Sequence, residues 1–314
     1  MKFSIDNNYN DEIRYYKTFR YYFQNLTDLY NYLKSQPPVN SHIFQRQSSL
    51  INGASFAGEN LTQAIEYLNG GYNFNFEKFD IATRNIRKLG IEDEESTKLE
   101  RALHGGAYLY PLVAAGVPDC MIRYRQDSDP KHITIYFQLG YNASTSESQI
   151  FNRGVATINL IQSLESKGYI VDLKVFELSI ERDEIVDITV NLKKTDQLLN
   201  VTKCYYPFVS KEFLRRLLFR VLESSPVEND WSNGYGRPAS TSEMRDFYKL
   251  KDKDLVISQP REMGIDGDNI YTDTITLFKK LGLDNEFDLS KLKEKAKETQ
   301  KVKTKVIKKV IKIR

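Results

Sequence analysis

The sequence predicts an α/β protein built on a mostly parallel sheet with helices on both faces. Three observations predict it. From His132 to Leu139, Ile133, Ile135 and Phe137 alternate with Thr134, Tyr136 and Gln138, the period-two pattern of a strand. A helical segment follows from Gln149 to Lys167, with Gly168 past its end, and leads into a second strand from Tyr169 to Leu178. Such a passage implies a right-handed crossover between parallel neighbours. Ile185 to Lys193 alternates again after a short connection, which predicts an antiparallel hairpin with the preceding strand.

The other elements follow in order. Between Asp11 and Phe23, Tyr15, Tyr16, Phe19, Tyr22 and Phe23 recur at three and four, predicting a helix. Thr27 opens a second helix through Lys34, stopped by Pro37 and Pro38. Residues 1–40 therefore read as an aromatic helical region. Residues 41–131 read as a mixed, mainly helical region packed on the core, with helices at Thr62–Leu68 and Glu77–Leu89 and a buried, irregular stretch over 105–121. Residues 132–284 form the α/β domain. It adds a helix from Ser210 to Glu223, a capping box at Ser240 and Glu243, a buried strand at Asp254–Ser258 and a helix at Asp273–Leu281. Residues 285–314 form a basic amphipathic tail.

Composition narrows the function. Hydrophobic residues make up 40% of the 314, enough for a real core. No apolar run approaches the roughly 20 residues a membrane span needs, and the N-terminal segment carries no secretory pattern. Two cysteines, Cys120 and Cys204, and three histidines argue against a disulfide framework or a structural zinc site. These features predict a cytoplasmic protein without cofactor.

Charge is unevenly placed. Residues 291–314 hold eleven Lys or Arg and two Glu, a net of +9 against +3 for the whole chain, which leaves the rest at −6. In the tail, Leu292, Ala296, Thr299, Val302, Val306, Val310 and Ile313 recur at helical spacing, with lysines on the other faces. A basic amphipathic helix fits a phosphate backbone. The residues expected to bind nucleic acid are Lys301, Lys303, Lys305, Lys308, Lys309, Lys312 and Arg314. Without Trp or Phe on the apolar face, membrane insertion is disfavoured. Arg216 and Arg220 stand four apart on a predicted helix and join the list as a phosphate clamp.

No phosphate loop, dinucleotide fingerprint, paired-histidine zinc motif or nucleophile elbow is present in the sequence. Asp119, in the turn Val117-Pro118-Asp119-Cys120, is the one candidate acid or base, in a setting that raises a carboxyl pKa.

After the first strand of the α/β domain comes Asn142-Ala143-Ser144-Thr145-Ser146. With the element order over 132–282, this resembles a von Willebrand factor A-like domain, whose first strand ends in a metal-binding Asp-x-Ser-x-Ser loop. Ser144 and Ser146 match, and Asn142 replaces the Asp. The family's later strand ends in Asp-Gly, where this chain has Ser258-Gln259-Pro260. A hard divalent cation needs anionic oxygen ligands, so Asn142, Ser144 and Ser146 are expected to hold no metal.

A second resemblance rests on Gly53 to Gly58 with Thr62 to Ala64, Ala114 to Met121, Arg153 to Val171, and Phe213 to Arg220 with Glu223. These stretches resemble an uncharacterised protein family of tailed bacteriophages. The resemblance implies a phage-encoded protein of the host cytoplasm. The expected function is a binding or assembly module with a nucleic-acid-engaging tail and a possible host or phage protein partner. The alternatives are an enzyme of glycosylase or nuclease type acting on nucleic acid, through Asp119 or the 142–146 loop, and a virion structural component.

Overall fold

The computed structural model describes residues 1–10, 15–42, 49–50, 58–89, 99–102, 107–108, 113–117, 120–124, 131–229, 231 and 237–311. At the N-terminal end, β1 (Lys2–Asn10) and β2 (Tyr15–Phe23) pair antiparallel, where the sequence pattern predicted a helix. The aromatic spacing explains the difference. Phe19, Tyr21 and Phe23 also satisfy a period of two, and aromatic residues favour a pleated surface. The deciding contact is remote: β2 runs parallel to the strand at 184–193, with Phe19 opposite Val186 and Phe23 opposite Val190. β1 and β2 thus extend the main sheet beyond β8.

Helix α1 (Leu26–Lys34) has its cap at Asn25, two residues before the cap expected at Thr27. Asn25 caps it, accepting the Asp28 amide at 2.9 Å. Helices α2 (Leu61–Gly70) and α3 (Phe76–Arg87) follow at the predicted positions. Three short strands come next, β3 (Leu99–Ala102), β4 (Ala107–Tyr108) and β5 (Met121–Tyr124), forming a separate antiparallel sheet in the order β3-β5-β4. The region 41–131 is therefore a mixture of helix and sheet. Within the stretch read as buried, Val113 to Gly116 are exposed.

The α/β passage forms as its pattern dictates. β6 (Lys131–Gln138) leads through α4 (Glu147–Ser166) to β7 (Tyr169–Glu181), which turns into β8 (Glu184–Lys193). Then come α5 (Val201–Val209), a π-helical stretch at Phe213–Leu218 running into α6 (Phe219–Glu223), and α7 (Thr241–Tyr248). The chain closes with β9 (Leu255–Ile257), α8 (Ile270–Lys280) and α9 (Ser290–Ile311). β6 pairs parallel with β7 on one side and β9 on the other, and β7 pairs antiparallel with β8. The six-stranded order is β1-β2-β8-β7-β6-β9.

Alternation sorts the side chains between two unequal layers. Phe19, Phe23, Ile135, Phe137, Leu173, Val175, Ile188 and Val190 face a single large core with residues of α1, α4, α5, α6 and α8. Phe137 stacks on Phe208 at 4.2 Å. On the opposite face, Tyr16, Phe176, Leu178, Ile185 and Val256 meet Ala239 and α7, through Met244 and Phe247. Both faces are covered, one by several helices and the other, among the described residues, by α7.

Buried carboxylates tie the loops to this frame. Glu184 accepts the amides of Glu228 at 2.7 Å and Asn229 at 2.9 Å and the Trp231 indole N–H at 3.3 Å. Glu223 accepts the Ser49 amide at 2.9 Å. Asp273 accepts the Asp266 and Gly267 amides at 3.1 Å each and Asn152 Nδ2 at 2.7 Å. The backbone amides of Ser49, Glu228, Asn229, Asp266 and Gly267 lie outside helix and strand, and these carboxylates supply their acceptors.

Candidate functional site

Two parts of the molecule have the composition of a binding site, the helix α9 and a cavity at the carboxyl end of the sheet. Helix α9 is built in two halves. Leu292 and Ala296 are buried against the core, and Asn269 Nδ2 donates to the Ala296 carbonyl at 3.2 Å. Just before the helix, Phe287 and Leu289 are buried, and Lys167 lies over the Phe287 ring at 4.4 Å. Beyond Thr299 the burial stops: Lys301 is exposed and Val302 is 61% exposed. Lys303, Lys305, Lys308 and Lys309 lie on the same continuous helix. Lys312 and Arg314 fall outside the described residues. The predicted helical tail is thus a helix, but its first turns belong to the core.

The two arginines proposed as a phosphate clamp sit elsewhere. Arg216 is 1% exposed. Its guanidinium donates to the carbonyls of Glu59 at 2.5 Å, Ser49 at 3.1 Å and Gly58 at 3.3 Å. Arg220 is half-buried and donates to the Pro37 carbonyl at 2.6 Å. Five donors in a fixed fork suit this bridging of several carbonyls. The guanidiniums expected to clamp a phosphate are thus bonded to backbone carbonyls, Arg216 to Ser49, Gly58 and Glu59 and Arg220 to Pro37. The i,i+4 argument also assumed α-helical pitch, whereas Arg216 lies in the π-helical stretch, where the angular spacing differs.

The 142–146 loop lies at the carboxyl end of β6, where open α/β sheets place their ligands. Asn142, Ser144 and Ser146 are exposed. Ser146 caps α4, its Oγ accepting the Gln149 amide at 3.2 Å while Gln149 Oε1 accepts the Ser146 amide at 2.9 Å. Asn142 donates to Gln259 Oε1 at 3.4 Å. Beneath the loop, Arg153 NH1 bridges the carbonyls of Gln138 at 3.1 Å and Ser258 at 2.9 Å, the ends of the neighbouring strands β6 and β9. Burial pulls the Arg153 guanidinium down to about 9. Among the described residues no cluster of three or more His, Cys, Asp or Glu side chains is placed to hold a metal ion. Asp119 falls outside the described residues. Cys204 is buried, and burial pushes its thiol up to about 12, away from the reactive thiolate.

The cavity, of about 810 Å³, opens beside this loop among the N-terminal ends of α3, α4 and α8. Tyr72, Phe74, Phe151 and Tyr205 supply aromatic wall, and Thr299 of α9 reaches its rim. Glu212 borders it, with Oε1 accepting the Glu59 amide at 2.9 Å. Burial raises the Glu212 carboxyl. Burial also pushes the Tyr72 phenol up to about 12, and the nearby Glu212 charge adds to that. Gly58 passes so close that a Cβ there would sit 2.1 Å from Glu212 Cγ, and its φ is +72°. The carboxylates of Glu147 and Glu212 stand at helix starts, where they offset the positive end of the dipole. The sequence did not reveal this cavity because its wall comes from well-separated segments; Gly58 and the Asn caps at 60 and 269 were the available signals.

Among the described residues no helix is long and apolar enough to cross a membrane. A family model described as a domain of unknown function, DUF7192, matches residues 5–285. No curated protein and no solved structure matches the chain.

Proposed function

The chain belongs to the DUF7192 family, and we propose that this member is a phage-encoded binding or assembly module of the host cytoplasm. Its body recognises a protein partner through the carboxyl end of a von Willebrand factor A-like sheet, and α9 engages nucleic acid. The observation that carries this reading is the two-part build of α9. Its first turns are anchored by Leu292 and Ala296, and from Lys301 onward it carries only basic, apolar and Thr residues. An anchored helix presents its lysines as an array that neutralises phosphates without reading bases. The strand order supports the sheet reading: β6 is flanked by β7 and β9, so the crossover reverses at β6 and leaves a crevice beside the 142–146 loop.

Mobility-shift titrations of duplex DNA and of RNA, with the full chain and with a chain lacking residues 301–314, test the reading. If six or more phosphates are neutralised, affinity falls roughly a thousandfold or more between about 50 and 200 mM salt. The shortened chain loses this binding. Undiminished binding by the shortened chain would move the contact to the body and overturn the reading.

A further inference from the structure

One edge of the main sheet is the short, buried strand β9. The other is β1, and its residues 1–6 are exposed. Phe3 is 41% and Ile5 46% exposed, high values for apolar residues in a strand. On its free side an edge strand offers unpaired N–H and C=O groups, a template for another strand.

The sequence of β1 is complementary to itself. Its ladder with β2 is regular from Lys2 to Asp6 and shifts between Asp6 and Tyr9. The pairable stretch is therefore Lys2-Phe3-Ser4-Ile5-Asp6, centred on Ser4. If two such strands run antiparallel about a two-fold axis through Ser4, Lys2 faces Asp6 of the second copy and Phe3 faces Ile5 of the second copy. Symmetry repeats both pairs. Opposite charges meet, apolar side chains meet on the other face, and each kind of pair favours a ladder. Phe3 already packs on Tyr21, with ring centroids 4.8 Å apart, so the new apolar pair would extend an existing cluster. Sliding the register one pleat repeat either way removes both charge pairs. Asp6 also receives Arg20 Nε at 3.1 Å, and a carboxylate has room for two cations.

We infer that β1 pairs antiparallel with β1 of a second copy of this chain, joining the two six-stranded sheets into one. This rests on β1 alone and is independent of any role for α9. An isologous, closed contact of this kind ends at a dimer. Five residues of edge pairing bury less than the roughly 1,200 Å² of a stable interface, so the dimer forms and dissociates with concentration.

Sedimentation velocity of the full chain over a wide concentration range tests it. The mass is expected to rise from 36.5 kDa toward twice that value. Lys2→Glu places like charges opposite each other and abolishes the rise, and so does Asp6→Lys. An equimolar mixture of the two variants restores opposite charges at every pair, and dimers return. Circular dichroism melts show that each variant is folded. Three results would overturn the inference: a wild-type chain that stays at 36.5 kDa at every concentration, variants that dimerise like wild type, or a mixture that remains monomeric.

Discussion

The phenol of Tyr248 on α7 donates to Oδ1 of Asp187 on β8 at 2.6 Å, fastening the one described helix on the thinly covered face to the sheet. Thr189 Oγ1 donates to the same oxygen at 3.1 Å, and Arg20 NH1 reaches Oδ2 at 3.2 Å. The Arg20 guanidinium lies 4.5 Å from the Phe247 ring centre, so strand and helix are joined by both charge and stacking. Tyr248→Phe leaves a buried carboxylate short of one donor and is expected to cost about 1–3 kcal/mol. Urea unfolding checks this by a lower midpoint at unchanged slope. An unchanged midpoint would show that Arg20 and Thr189 satisfy Asp187 without the phenol.

Glu177 makes stability depend on pH. Burial pushes its carboxyl up to about 7 from the ordinary 4.5, against the opposing hydrogen bond from Ser179 Oγ at 3.1 Å. Between those values the unfolded chain has released a proton that the folded chain still holds. Stability contributed by this group therefore falls as pH rises from about 4.5 to 7 and stays low above it. Glu177→Gln keeps the acceptor for Ser179 and removes the ionisation. The variant is expected to be more stable at pH 8, by up to about 3 kcal/mol, and its stability to vary less between pH 5 and pH 8. Guanidinium melts at the two pH values decide it, and an unchanged pH dependence would assign that dependence to other groups.

Arg216→Met keeps much of the apolar stem and removes donors to the Ser49, Gly58 and Glu59 carbonyls. The expected loss is about 1–3 kcal/mol for buried acceptors left unsatisfied, with limited proteolysis showing earlier cleavage between residues 37 and 60. Nucleic-acid affinity is expected to stay constant. A drop in affinity at unchanged stability would restore the arginine to an anion-binding role.

The two halves of α9 separate in a melting experiment. Deleting residues 301–314 is expected to leave the melting temperature nearly unchanged. Leu292→Ala opens a hole in the core and is expected to cost about 2–5 kcal/mol. Equal destabilisation by both changes would mean that the distal half also packs on the fold.

The strands of the α/β passage were legible because alternation, a long helix and a short hairpin all act locally. Ile133, Ile135 and Phe137 declare their face within eight residues. The N-terminal hairpin was not legible: Phe19 and Phe23 fit both periods, and the partner that settles the choice, β8, is remote in sequence. The basic character of α9 could be counted directly, whereas the burial of Leu292 and Ala296 could not, since packing against α8 creates it. Arg216 shows the commonest limit of motif reading. Residue type and spacing identify a group of donors, and only packing determines whether they meet backbone or solvent.

The pairing of Phe19 with Val186 also orders events during synthesis. The hairpin β1–β2 leaves the ribosome long before β8, yet its place in the sheet does not exist until β8 has emerged. Until then Phe19, Tyr21 and Phe23 are sticky and unpaired, and the nascent chain needs a holding interaction or rapid elongation to avoid misassembly. Closure of such a distant contact is slow, which makes docking of the N-terminal hairpin the expected late step of folding.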